Sequence, residues 1–418
     1  MNQKQYRNIT ILLILIGLFI GYEIITDSFK SGDFIGYVNA GNLVLNHKNI
    51  YSDYLNTWPP LFSVFSVVLT VGDGISSVII RLLWLMGSLL SLYFIIQLTV
   101  NFFYGKTITF KKNGSGMLFQ NAIIFVPFLI ILRFLLDNLA NIQINIYILL
   151  ATVLSIIFFI RKKYFWAGLF LGLTISLKVY TIFFLFYFIY KREFKLVWWT
   201  IFVVILLNSV TFIVFGFDKA IYYYQHWILD IAPQSYISNH KNQSIFGAML
   251  RFFTTEDPDH NLYVNILSIN PKTIKMVTYG IITLVSLFPA FLFRKKLKNT
   301  SSISALIEYS VIFTSIPILS PLSWKAYFIF LWVPYFLLYS LLFKSKNQLS
   351  LQINRLLKGL FWLSIVLNVF STEAIVGVYF SDVMESFSAL TFGTVILLLI
   401  QFYIYQNLDK FDYEISRG

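Results

Sequence analysis

Long apolar runs alternate with short basic clusters along the chain. Runs over 9–26, 78–104, 118–136, 144–160, 196–217, 273–293, 303–319, 326–343, 357–376 and 386–406 have the length and character of bilayer-crossing helices. Between them stand Lys106/Lys111/Lys112, Arg161/Lys162/Lys163, Lys191/Arg192/Lys195, Arg294/Lys295/Lys296/Lys298, and Lys344/Lys346 with Arg355/Lys358. Basic loops stay cytoplasmic, so consecutive clusters are separated by an even number of crossings, and both termini fall inside. Segment 27–77 is then a first outer loop with juxtamembrane helices, interrupted by Pro59-Pro60, and 218–272 is a long outer loop. Residues 164–190 are too few for two crossings of about 20 residues each, which predicts a helical hairpin reaching part way, with Lys178 at its apex. The expected architecture is an all-α polytopic membrane protein, one integral membrane domain over 1–418 with roughly ten to twelve transmembrane helices. The apolar run 9–26 is followed by no small-residue cleavage site and reads as an uncleaved anchor.

Composition strengthens this picture. Of 418 residues, 58% are hydrophobic and only 12% charged, about half the charged share of a soluble domain. A soluble fold, a disordered chain and a collagen-like repeat are excluded together. The formal net charge of +13 would suit a nucleic-acid binder, but in a membrane protein it belongs to loops that meet anionic lipid; no nucleic-acid partner is expected. There are no cysteines, hence no disulfide and no thiolate metal site.

Polar side chains are costly in lipid, so their placement carries information. In this topology they collect at the extracytoplasmic face. The first outer loop brings Asp33, Tyr37, Tyr51 and Trp58; the turn at 137–145 brings Gln143 and Asn145; the hairpin brings Lys178. The long loop adds Asn242, Gln243, Ser244 and Arg251, and the last outer turn adds Trp324, Lys325 and Tyr327. A cavity so lined suits a lipid-linked sugar phosphate. Lys178, Arg251 and Lys325 can pair with phosphate, Asp33 can accept a proton from an attacking hydroxyl, and the amides and aromatics can hold sugar and polyprenyl chain. Each residue also has a plainer reading. Asp33 reads as a helix cap or solvated carboxylate, Gln143 and Asn145 as helix-start amides, Lys178 as a snorkelling lysine, Arg251 as an interfacial arginine, and Trp58 and Trp324 as belt tryptophans. Glu256-Asp257-Pro258-Asp259-His260 resembles a metal loop but reads more simply as an exposed acidic loop. No metal signature or cofactor motif is present, so neither is expected. A lipid or polysaccharide transporter is the alternative function. Paired repeats and broken helices at the midplane are its usual marks, and the sequence predicts neither. A third possibility is a structural subunit of an envelope assembly.

The stretch Gly32 to Phe65, with Asp33, Tyr37, Ile50-Tyr51 and Trp58-Pro59-Pro60-Leu61, resembles the first outer loop of glycosyltransferase family 87, within the membrane-embedded C-type superfamily. Further blocks agree in order: Asn141, Gln143 and Asn145 with Ile142 in place of a Gly; a Gly-rich hairpin ending in Lys178; Asn242-Gln243-Ser244 with Arg251; and Ser320-Pro321-Leu322-Ser323-Trp324. The family often has His two residues after that Trp; here Ala326 stands there, preceded by Lys325 and followed by Tyr327. The resemblance implies a C-type glycosyltransferase fold and transfer of a hexose, mannose in the family, from a polyprenyl-phosphate donor to an extracytoplasmic glycan or lipid-linked acceptor. It also implies inversion, no metal, Asp33 as base, and a place in the plasma (inner) membrane.

Overall fold

A computed structural model describes residues 3–110, 116–235, 237–255, 262, 264–297 and 299–412. The acidic loop 256–260 lies outside the described residues. The helices are α1 (Gln3–Ser28), α2 (Phe34–Leu45), α3 (Pro60–Tyr104), α4 (Ala122–Ala140), α5 (Asn145–Ile160), α6 (Tyr164–Leu177), α7 (Ile182–Tyr190), α8 (Phe194–Phe215), α9 (Phe217–His226), α10 (Ile245–Phe253), α11 (Pro271–Leu292), α12 (Ile303–Leu319), α13 (Trp332–Phe343), α14 (Leu351–Ile365), α15 (Glu373–Val376), α16 (Val378–Ser386) and α17 (Ala389–Gln406). Two pairs of two-residue strands, 108–109 with 117–118 and 346–347 with 411–412, join loop segments. Among the described residues, eight helical stretches are long and apolar enough to cross a membrane, and five shorter apolar helices accompany them. In hydrocarbon every backbone polar group must be satisfied within the segment, so helices are the form apolar runs take.

Two places depart from simple spans. Pro60–Tyr104 runs as one helical stretch across a kink at Ser76, whose φ −162° and ψ 111° are not helical. The loop-and-surface-helix reading of 27–77 thus resolves into α2 and the first part of α3. The segment 164–190 is broken at Lys178 (φ −147°, ψ 106°), with one turn of 3₁₀ helix over Val179–Thr181 leading into α7. Interrupted helices, which the sequence did not predict, are therefore present.

The chain divides into two compact units. Among the described residues, the first comprises those of 3–125 and 135–233, the second those of 126–134 and 234–412. In the first, α2 packs on α3, and α6 packs on α5 and α8. Gly168 and Gly172 lie so close to α8 that an added Cβ would meet Trp199 and Val203 at 2.4 and 2.8 Å, so these glycines set how near α6 can approach. In the second, α12, α14 and α17 pack together. Ser244, Ser302 and Ser350 cap α10, α12 and α14, each accepting a backbone N–H of the first turn. Apolar side chains on α1, α8 and α11 stand exposed, as lipid-facing positions require.

Candidate active site

The first unit builds a polar centre on an aromatic floor. Tyr37 is fully buried, with its ring 4.8 Å from Trp58, 5.0 Å from Phe62 and 6.1 Å from Trp84. Tyr51 donates its hydroxyl to the Trp58 carbonyl at 2.9 Å. These contacts dock α2 and the loop behind it; Tyr37 and Tyr51, expected from the sequence at the sugar, pack here on other aromatics and on the Trp58 carbonyl. Tyr147 donates to the Trp84 carbonyl at 2.6 Å, and the Trp84 indole reaches the Gln143 carbonyl at 3.4 Å. The floor thereby fixes the 141–145 turn.

That turn and the start of α2 meet backbone to backbone. The Asp33 N–H donates to the Asn141 carbonyl at 3.1 Å. Gly32 (φ +47°) allows this approach: an added Cβ would meet the Asn141 carbonyl carbon and oxygen at 3.0 Å. Ile142, at the family's glycine position, adopts φ 50°, a conformation a β-branched residue rarely takes. Its side chain is fully buried, which offsets the backbone cost, and strain of this kind collects where geometry serves a site.

Asp33 occupies the N-cap position of α2, yet its carboxylate makes no cap hydrogen bond. It accepts instead from the Gln143 amide. The helix-cap reading therefore describes its place in the chain but not its contacts. Burial is the main influence on this carboxyl and pushes it above the usual carboxylate range; the Lys178 charge, then the Gln143 hydrogen bond, pull the other way. Asn145 is fully buried. Its Oδ1 accepts from Lys178 Nζ at 2.7 Å and from the Tyr180 hydroxyl at 2.9 Å, and its Nδ2 donates to Asn138 Oδ1 at 3.2 Å and Gln143 Oε1 at 3.5 Å. Lys178 is itself buried, so the snorkelling reading does not describe it. Asp33, Gln143, Asn145 and Lys178 thus belong to one connected group.

The second unit gathers the other expected residues differently. Asn242 donates to the Ile237 and Pro321 carbonyls at 2.9 and 3.1 Å and accepts from the N–H of Ser323 at 3.0 Å. Gln243 donates to the His240 and Glu385 carbonyls, both at 2.6 Å. Ser244 donates to the Pro321 carbonyl at 3.1 Å. Arg251 is buried, and its guanidinium donates to the carbonyls of Asn239, Asn242 and Ser386 at 2.7, 2.7 and 3.1 Å and to Ser388 Oγ at 2.6 Å. Sugar and phosphate were the partners expected for these four; here they tie the 237–244 segment to the 321–323 turn and the end of α16. Lys325 lies 2.8 Å from Glu373 and 3.0 Å from Glu385, and Arg133 binds Glu385 at 2.7 Å. Lys325 draws the Glu373 carboxyl below its ordinary range. Trp324 is exposed and Tyr327 half-buried.

His240, Asp382 and Glu385 bring one donor atom each within 4.8 Å of one another. Glu385 already carries Arg133 and Lys325, so a cation there would enter beside two positive charges.

Several contributors escape a reading of the sequence alone. Trp84 and Tyr147 lie inside apolar runs and carry no polar signal. Tyr180 had only its place two residues past Lys178 as a signal, whereas Asn138 was visible as one of the polar residues of the 137–145 turn.

The family model of glycosyltransferase family 87 matches residues 56–321. The matched stretch includes Trp58, the 141–145 turn, Lys178 and the Asn242–Arg251 segment; it starts after Asp33 and ends before Lys325. No curated protein and no solved structure matches the chain. With most of its length covered and its apolar helices long enough to cross a bilayer, the chain belongs to glycosyltransferase family 87 and is a membrane glycosyltransferase.

Proposed function

We propose that this enzyme transfers a hexose from a polyprenyl-phosphate donor to a glycan or glycolipid hydroxyl, with inversion, at the extracytoplasmic face of the plasma membrane. The observation that carries the reading is Asp33: a half-buried carboxylate at a helix start that takes no cap bond, is oriented by Gln143, and feels the charge of Lys178.

In this mechanism an Asp33 oxygen takes the acceptor's hydroxyl proton. The acceptor oxygen forms its bond to the anomeric carbon as the carbon–phosphate-oxygen bond breaks on the opposite side. The bonding pair leaves with the polyprenyl phosphate, and Lys178 faces that developing charge. Orientation and preorganised positive charge then supply the rate. The raised proton affinity of Asp33 suits a base that must both take and release a proton. In the second unit, Asn242, Gln243, Ser244 and Arg251 shape the local backbone, and Lys325 is held by Glu373 and Glu385. Mannose is the family's sugar, and its place here stands beside Ala326 where the family's histidine is usual.

The test is transfer by purified protein in nanodiscs, with polyprenyl-phosphate mannose and polyprenyl-phosphate glucose as donors, alongside mass spectrometry of lipid-linked glycans in a deletion strain. Asp33→Asn is expected to lower turnover by about 10²–10⁴-fold, the usual contribution of a general base. Near-wild-type turnover in that variant removes Asp33 from the role.

A further inference from the structure

Between the base and the lysine stand two amides whose polarity is ordered. Lys178 donates to Asn145 Oδ1 at 2.7 Å, Asn145 Nδ2 donates to Gln143 Oε1 at 3.5 Å, and Gln143 Nε2 donates to Asp33. Each carbonyl oxygen faces the cationic end and each NH₂ faces the anionic end. We propose that Asn145 is a positioning residue that holds the Lys178 ammonium at a fixed remove from the Asp33 carboxylate, so that base and cation do not collapse into a direct ion pair. The inference rests on the general-base reading of Asp33 and adds to it the reason both charges can serve one reaction.

Three features support a built spacer. Asn145 is fully buried, and its amide nitrogen is shared between Gln143 and Asn138, which leaves its oxygen turned to Lys178 and Tyr180. The backbone on both sides is set: Asn145 begins α5 just after the positive-φ turn at Ile142, and Lys178 sits at the break between α6 and the following 3₁₀ turn. An amide does not ionise between pH 4 and 10, so the spacing holds as the charges change. Opposite charges in a partly dry site otherwise attract strongly, and a base locked to a cation is a weaker base.

The surrounding elements carry these ionisable groups: Lys178 and Tyr180 on the broken helix, Asp137 at the end of α4, Tyr147 on α5, and Arg81 with Asp73 on α3. Among these, the Lys178 charge opposes the effect of burial on the Asp33 carboxyl.

The experiment is the pH profile of kcat/KM for wild type, Asn145→Ala and Asn145→Asp. In Asn145→Ala the ammonium closes on Asp33, so the acid limb moves down by about one pH unit, as for a carboxylate gaining an opposite charge, and kcat falls at least tenfold. In Asn145→Asp a new carboxylate binds Lys178 and faces Asp33, so the limb moves up. Opposite shifts support the spacer; equal losses of kcat with unmoved limbs overturn it and leave Asn145 merely structural. Adding Lys178→Met to Asn145→Ala is expected to return the acid limb towards its wild-type position. A wild-type enzyme that transfers sugar from neither polyprenyl-phosphate donor defeats the wider reading instead. The spacer is then decided by NMR titration of ¹³Cγ-labelled aspartate, with Asp33→Asn identifying the signal: a lowered Asp33 midpoint in Asn145→Ala supports it, and an unchanged one overturns it. The same titration decides the matter if Asn145→Asp fails to fold.

Discussion

The polar centre around Asp33 in the first unit and the ionic cluster around Glu385 in the second handle charge in opposite ways. In the first, a carboxylate and an ammonium are linked through neutral amides, and Gln143 and Asn145 accept or donate on both sides. In the second, Arg133 and Lys325 contact Glu385 directly at 2.7 and 3.0 Å, and Arg251 is occupied by backbone carbonyls. Charges that satisfy one another make a rigid joint, whereas charges kept apart retain the capacity to act on a substrate. Two of the three residues the sequence offered as phosphate anchors, Lys178 and Arg251, thus fall into different physical categories. Their residue types do not distinguish them; their partners do.

Substitutions can break this comparison. The largest effect is expected on catalysis in the first unit, where Asp33→Asn should lose about 10²–10⁴-fold in turnover. Its stability should hold or rise at neutral pH. Burial places the folded Asp33 carboxyl above its ordinary 3.8, so the ionised group costs stability, a cost that appears as pH rises from the unfolded value through the folded one. Thermal melts of both proteins across pH check the sign, and a large loss of stability in Asp33→Asn at neutral pH counts against it.

The complementary effect belongs to the second unit. Glu385→Ala strands the buried Arg133 guanidinium and should cost about 3–5 kcal/mol, as when one member of a buried pair is removed; a melt within a degree or two of wild type means the joint is not structural. Smaller still is Gly32→Ala. A Cβ at a positive φ, pressed on the Asn141 carbonyl at 3.0 Å, should displace Asp33 and lower turnover about tenfold for a strain near 1–2 kcal/mol, with the pH profile keeping its shape. Unaltered turnover removes that backbone contact from the site's requirements. The smallest change is expected from Glu373→Gln. Its side chain is 50% exposed, and surface pairs are worth about 0–1 kcal/mol, so the melting temperature should barely move; a loss as large as that of Glu385→Ala would place Glu373 inside the joint.

Much of the fold was legible in residue order. Apolar runs bounded by basic clusters marked the helices, and the short interval 164–190 singled out Lys178, read from the sequence as a hairpin apex and found in the structure at a helix break. The kink at Ser76 falls where Gly72-Asp73-Gly74 and Ser76-Ser77 interrupt the apolar run, beside the 77/78 boundary read from the sequence; what the sequence did not show is that one helical stretch continues across it. Within the site, Asp33, Gln143, Asn145 and Lys178 were each visible as polar exceptions. Trp84 and Tyr147 were invisible, since an aromatic in an apolar run gives no sign that its polar atom holds a turn.

The sequence by itself determined the solvent, the family and the identity of the polar exceptions, because hydropathy and local motif are properties of neighbours in the chain. Tertiary structure alone decided which exceptions meet protein and which meet one another. It withheld Asp33 from its own helix, assigned Arg251 to backbone carbonyls, and set an ordered pair of amides between anion and cation. Those outcomes depend on groups tens to hundreds of residues apart, whose distances only the packed chain defines.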